Sequence, residues 1–426
     1  MKAKKRRYFF LISVVAAACA AYVVLSAEDP QISGYEGFAK LPQSEIITLT
    51  VRNDRPIDRF EVEVLQGLRH VTLVNDRNVG TEKTYALHVE PRALRLTDGD
   101  ATVLLTAESG LFGKTGIKVA ARVDMVPPAI KQITSTRFVR QGSAGAVKVR
   151  AVGAERVYVK IGDEEFPLSE RGEGENNVYS SLFAVGSDVP PDTDIFVVAE
   201  DDNENVRRAI TDTTITRGVF KKENIEVSDR FLEEHVYPLL GGKGAGISPV
   251  DAVRKVNETW RKEDGSFIRE LSRDTADEPL WHGRFLQMNG SKVFATYGER
   301  RKMYYHGEQV SACRHLGYDL ASVRHAPVVA ANSGRVVYAG ERKIYGNTVI
   351  IDHGLGLMSL YGHLSEITVS GGQTVAKGDL IGRTGSTGFA MGDHLHFAIL
   401  VHGVPVNPLN WWDGKWIENR ILYFLS

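Results

Sequence analysis

The chain has 426 residues, 43% of them apolar and 25% charged. That is an ordinary balance for folded protein, and more chain than one hydrophobic core usually spans. A formal net charge of −1 excludes the general basic field that nucleic-acid binding uses, so no nucleic-acid partner is expected. The two cysteines are Cys19 and Cys313. Cys19 falls in an apolar N-terminal run, so the rest of the chain cannot close an internal disulfide and relies on packing.

Residues 1–27 read as a membrane anchor. "MKAKKRR" sets Lys2, Lys4, Lys5, Arg6 and Arg7 ahead of the apolar run Tyr8–Leu25. As a helix that run is about 27 Å long, enough to cross the hydrocarbon core of a bilayer. The basic flank stays in the cytoplasm and the remainder is exported. A cleaved signal peptide fits less well. Leu25 is too large for the residue ahead of a cut after Ala27, and a cut after Ala20 falls inside the run. A lipid-modified Cys19 conflicts with the run continuing past it.

Residues 28–126 and 127–217 each read as a β-sandwich of immunoglobulin-like size. "EIITLTVRN", "RFEVEVLQG", "TYALHVE" and "ATVLLTAES" form the first strand set, bounded by turn residues. Pro127 and Pro128 break it, and "AVKVRAV", "RVYVKIG" and "DIFVVAED" form the second. No chemistry concentrates in either; the modules are read as spacers or docking surfaces.

Residues 218–284 read as a helical linker with a regulatory role open to it. Ser248 is the expected N-cap, Pro249 the first helical residue, and Val253, Val256 and Trp260 recur at helical spacing. "SDRFLEEHVYPLL" predicts a shorter helix before it, and "GGKGAG" (residues 241–246) a flexible joint between the two. From residue 285 to 426 short apolar pieces alternate with glycine turns, as in an antiparallel sheet made of hairpins. The expected fold class is therefore mostly β.

The chemistry gathers in that last domain. "HLGYD" carries His315 and Asp319, "IDHG" carries Asp352 and His353, "YGH" carries Tyr361 and His363, and "HLH" carries His394 and His396. In a strand, residues two apart share a face, so His394 and His396 look the same way. His315 and Asp319, four apart, share a face on a helix or a strand. Nitrogen and carboxylate donors suit tetrahedral zinc, which in catalytic sites takes three protein ligands and leaves a fourth position to water. Each motif alone is weak. His353 reads as structural, His306, His325 and His402 as surface or rim residues, and Tyr361 as either packing or substrate contact. Cys313 reads as a small residue beside the site, and Asn347 as shaping either the cleft or a turn. "GRTGSTG" lacks the lysine of a phosphate loop and reads as hairpin turns.

In the order "HLGYDLAS", "GRVVYAG", "YGNTVIIDHGLGLMSLYGHLS", "VAKGDLIGRTGSTG" and "GDHLHFAI", the C-terminal third resembles the LytM/lysostaphin-type zinc metallopeptidases that cut peptidoglycan peptides. The resemblance implies one zinc ion held by His315, Asp319 and His396, with His363 and His394 as catalytic histidines whose separate roles stay open. Two positions depart from the family pattern, Asp393 where proline is frequent and Ala398 where glutamate is. The expectation is a zinc metalloendopeptidase hydrolysing stem peptides or crosslinks of peptidoglycan. An anchor followed by exported domains places it in the inner membrane, single-pass, with its soluble part in the periplasm. One alternative is a non-hydrolytic or partner-dependent activator of wall hydrolases, working with a periplasmic regulatory protein. Another is a biotinyl or lipoyl carrier, suggested by the hairpin rhythm around Lys377, which leaves the histidines unexplained.

Overall fold

The structure, a computed structural model, describes residues 29–41, 46–110, 113–171, 177–242 and 246–425. The expected anchor at residues 1–27 lies outside them, and among the described residues no helix is long and apolar enough to cross a membrane. The chain divides into two compact units, Met1–Pro128 with Glu200–Val206, and Ala129–Ala199 with Arg207–Ser426.

In the first unit the strands join a single six-stranded sheet. β1 (Ile47–Gln66) and β2 (Arg69–Leu87) make a long hairpin, and β3 (Gly99–Ser109) and β4 (Gly113–Val123) extend it antiparallel. "EIITLTVRN" and "RFEVEVLQG" are expected as separate strands, yet β1 runs through both and through the "DRPID" (residues 54–58) between them. The ladder shifts register between Arg52 and Ile57, so Pro56, which has no amide proton, sits where pairing is already broken. Leu49, Val51, Phe60, Val62 and Val64 pack with Val103 and Leu105 on the buried face. A two-sheet sandwich is thus replaced by one sheet: with the two expected strands fused, no break remains there for the chain to change sheets.

In the second unit, residues 129–210 supply two four-stranded sheets. β5 (Ser143–Val152) and β6 (Val178–Val185) form the centre of one of them. Their apolar residues share one continuous core with Trp281, Phe285, Trp411 and Ile421, so this region does not stand apart from the C-terminal domain. Nor is the segment read as a linker separate. β7 (Lys222–Glu226) pairs in parallel with Arg300–Tyr305. Ser248 Oγ accepts the Asp251 amide at 3.1 Å, with Pro249 as the first helical residue. The helix runs through a π-type turn at Lys255–Trp260 into α1 (Arg261–Leu271). Part of the glycine-rich joint, residues 243–245, lies outside the described residues.

The C-terminal strands are β8 (Lys292–Ala295), β9 (Arg300–Tyr305), β10 (Glu308–Arg314), β11 (Tyr318–Ala321), β12 (Gly334–Arg342), β13 (Gly346–Asp352), β14 (Leu357–Leu364), β15 (Thr374–Val375), β16 (Leu395–Val401) and β17 (Val404–Val406). β9 and β10 form a separate sheet with β7, while the other eight build an antiparallel sheet in the order β8-β11-β16-β14-β13-β12-β15, with β17 beside β16. Period-two alternation gives it two apolar faces. Tyr318, Leu320, Tyr361, Phe397 and Ile399 join the main core, while Ile350, Met358, Leu360, Ala398 and Leu400 pack with Ile268 of α1. The functional residues sit on this second face.

Candidate active site

Asp319 pairs with His396 across β11 and β16, and His396 pairs with Gly362 across β16 and β14. Paired residues share a face, so Asp319 and His396 project together. His315 is placed just ahead of β11 by two bonds: its amide donates to the Glu299 carbonyl at 2.9 Å, and its Nδ1 donates to the Thr296 carbonyl at 3.0 Å. The loop carrying both carbonyls is itself held by the buried Glu299 carboxylate, which accepts the Thr296 amide and hydroxyl at 2.8 and 2.9 Å. Burial would raise the Glu299 pKa, but these bonds and Arg301 hold it low.

Three donor atoms converge. Asp319 Oδ1 lies 2.9 Å from His315 Nε2 and 2.9 Å from His396 Nδ1, and the two nitrogens are 3.2 Å apart. Because the Thr296 carbonyl can only accept, His315 donates from Nδ1 and turns Nε2 toward Asp319. Burial opposes ionisation of Asp319, yet His315, His394 and His396 hold its carboxyl well below the usual range, so an anion sits among ring nitrogens. His396 does not readily supply extra protons, since burial lowers its pKa to about 4. A cation resolves the contact. Tetrahedral zinc with bonds of about 2.0–2.1 Å sets its ligands about 3.3 Å apart, close to the observed spacing. His315, Asp319 and His396 therefore fit a zinc ion.

The other two histidines flank this group. His394 precedes β16; its amide donates to the Gly385 carbonyl at 3.0 Å and its Nδ1 to the Gly392 carbonyl at 2.8 Å. That leaves Nε2 3.5 Å from Asp319 Oδ1, on the metal-facing side as the H-x-H spacing predicts. Burial would lower its pKa, but Asp319 raises it. His363 follows Gly362, so strict alternation would turn it into the main core with Tyr361. A left-handed backbone at φ 62 prevents this, and its ring lies tilted at 4.8 Å from that of His394 and edge-on at 5.8 Å from that of His396. Such a conformation in a non-glycine residue is held only by its surroundings. Here the His363 amide donates to the Tyr345 carbonyl at 2.6 Å and Nδ1 to the Thr387 carbonyl at 2.8 Å. Burial, then the neighbouring imidazoles, lower its pKa to about 3; it stays neutral with its lone pair on Nε2.

All five residues named from the sequence line one cleft of about 370 Å³, together with Tyr345, Arg301, Phe231, Asn257 and Arg261. The last three come from the segment between residues 218 and 284. Sequence patterning does not point to them, because an arginine or asparagine on a helix carries no motif. Tyr345 packs its ring 5.3 Å from His396, and only the "YG" turn ahead of β13 hints at it.

The remaining residues resolve as follows. Cys313 lines the cleft without joining the donor group. His353 is fully buried, donating from Nδ1 to the Ser333 carbonyl at 2.7 Å with Nε2 2.7 Å from Ser359 Oγ. Tyr361 is buried and its hydroxyl accepts the Ala331 amide at 2.7 Å, so it packs. His306 and His325 are exposed. His402, expected at the rim, is instead half-buried, with Nε2 3.0 Å from Ser181 Oγ of β6, because two strand sets share one core. Asn347 holds the Leu364 carbonyl at 3.0 Å. Asp393 accepts the Thr384 hydroxyl at 2.6 Å and the His325 amide at 3.2 Å, tying down the approach to His394. Ala398 enters the apolar layer beneath α1, where a glutamate would bury its charge.

Residues 313–408 match the model of Peptidase family M23. Peptidoglycan DD-endopeptidase ShyA of Vibrio cholerae is 31% identical over 186 residues, which is 42% of this chain and 42% of that protein. DD-carboxypeptidase/endopeptidase Mpg of Neisseria meningitidis serogroup B is 41% identical over 148 residues, 35% of this chain and 31% of that protein. The chain thus spans less than half the length of these relatives. The catalytic domain of lysostaphin from Staphylococcus simulans is 31% identical, with a TM-score of 0.25, covering 28% of this chain and 91% of that domain.

Proposed function

Because the C-terminal third of this chain, through residues 313–408, is a domain of Peptidase family M23, we propose that the protein is a zinc-dependent endopeptidase of peptidoglycan stem peptides or crosslinks. The observation that carries the reading is the convergence of His315 Nε2, Asp319 Oδ1 and His396 Nδ1 in a cleft shared with His363 and His394.

His315, Asp319 and His396 would hold the ion, which when bound lowers the pKa of water toward neutrality and polarises a carbonyl. The protein's own groups supply the proton traffic. His363, whose Nδ1 donates to the Thr387 carbonyl and whose Nε2 therefore keeps a lone pair, is placed to accept a proton from water and return it to a leaving amine. His394, whose Nδ1 is likewise tied to a carbonyl, donates from Nε2 to the oxygen that gains charge when it is protonated, the form that Asp319 beside it favours. The apolar walls, Ile344, Phe389 and Phe231 among them, limit water and strengthen these interactions. The activator reading finds less support, since all five side chains it would expect to be altered are present.

The basic-then-apolar start of the sequence supports inner-membrane anchoring with the soluble part in the periplasm. Protease protection in intact cells, lost after outer-membrane permeabilisation, would agree with that; digestion only after lysis would not. For the activity, the full-length chain loaded with zinc is incubated with purified peptidoglycan, with His394→Ala as control. New stem-peptide fragments that vanish in the variant are expected. Unchanged peptidoglycan despite bound zinc would reject autonomous hydrolysis.

A further inference from the structure

We propose that Arg261 is a substrate-binding residue that pairs with a free carboxylate of the peptide entering the cleft, an inference that rests on the peptidase reading above. Arg261 opens α1 and lines the same cleft as Tyr345, His363 and His396. Its Nε donates to the Asn257 carbonyl and its Nη2 to Asn257 Oδ1, both at 3.2 Å. Asn257 is 1% exposed and is itself fixed: its Nδ2 donates to Ser311 Oγ at 2.9 Å, and the Ser311 hydroxyl donates to Glu258 Oε1 at 2.7 Å. A buried chain anchored on β10 therefore aims the guanidinium, and Nη1 takes no part in it.

The second arginine of the cleft is in a different state. Arg301 Nη2 stands 3.2 Å from Glu299 and 3.8 Å from Asp319, and its Nε stands 3.1 Å from Glu223. Three carboxylates offset that charge. Arg261 forms no ion pair among the described residues; its partners are a neutral amide group. A half-buried guanidinium held only by neutral groups retains its attraction for an anion, and its planar fork matches a carboxylate. Phe231, Ile344 and Phe389 line the same cleft, and such apolar walls weaken screening. Peptidoglycan peptides carry free carboxylates beside their amide bonds, so the substrate class offers the group that the cleft lacks. Arg261 orients that group and is not placed at the reacting atoms.

The test measures binding of a crosslinked muropeptide to the full-length, zinc-loaded protein by calorimetry, in a His394→Ala background that suppresses turnover. The ligand is used with its carboxylates free and with them amidated. Amidation is expected to weaken binding about tenfold when Arg261 is present. With Arg261→Gln added, amidation should matter by less than about twofold, and Arg261→Lys should fall between. The amidation arm on the protein retaining Arg261 needs no folded second variant. Equal losses in both proteins, or no loss on amidation, would overturn the proposal, as would absence of binding by either ligand. Turnover of the same muropeptide by the unsubstituted protein reads the peptidase assignment separately. Carboxylate-dependent binding without turnover would reject hydrolysis and leave Arg261 in its role.

Discussion

A Cβ placed on Gly317 would stand 2.6 Å from Nε2 of His396 and 2.6 Å from the Phe397 carbonyl oxygen. The backbone between His315 and Asp319 thus passes against the very imidazole that those two residues share. Gly317→Ala should push the His396 ring off its donor position and weaken zinc binding by about 10–100-fold, the range seen when groups supporting a metal ligand are altered. Competition against a zinc chelator measures this; an unchanged affinity would mean that the ring and backbone shift without cost.

Zinc should also stabilise the fold. An ion that binds only the native state contributes RT ln(1 + [L]/Kd), about 2.7 kcal/mol at a hundredfold excess over Kd. Melting of the wild-type protein is expected to rise on zinc addition and return after chelation. Asp319→Ala, which removes the atom common to both histidine contacts, should show no rise. An equal rise in the variant would place the stabilising ion elsewhere.

Acid should destabilise the second unit through His353. Burial lowers its pKa to about 4 from the ordinary 6.5. The unfolded chain therefore takes up the proton first as pH falls. The stabilisation is complete above about pH 6.5 and is lost as pH drops through about 4, by as much as about 3 kcal/mol. His353→Gln should be less stable at neutral pH, because Ser333 and Ser359 lose a partner, yet lose less further stability between those limits. Denaturation curves across that window would show it, and parallel pH profiles for the two proteins would contradict it.

Asp264 ties α1 to the sheet. Its side chain is 0% exposed, accepts Arg342 Nε and Nη2 at 3.1 and 2.7 Å, and accepts the Ile344 amide at 2.8 Å. Ile344 and Tyr345 form the turn beside His396, so the pair steadies one cleft wall. Asp264→Ala leaves a largely buried guanidinium and an amide without their acceptor, and should cost about 3–5 kcal/mol. Urea unfolding is the measurement; a loss below about 1 kcal/mol would show that water replaces the carboxylate easily.

Much of the site is legible in the chain because its signals are local. A period of two places His394 and His396 on one side of a strand, and a four-residue spacing lets His315 and Asp319 reach one point across Gly317. The N-cap at Ser248 depends on its own neighbours in the same way. Other features depend on residues far apart in the chain. His363 reaches the metal face only because Tyr345 and Thr387 hold its backbone left-handed, against the alternation that its strand otherwise follows. "DRPID" becomes part of a long strand because β2 pairs along both halves of it. Arg261 enters the cleft only because β10 fixes Asn257 and the apolar layer seats α1 over the sheet. Alternation and spacing by themselves determined which residue types could share a face. Long-range pairing and burial decided which of them meet, since those free energies exist only once distant segments are in contact.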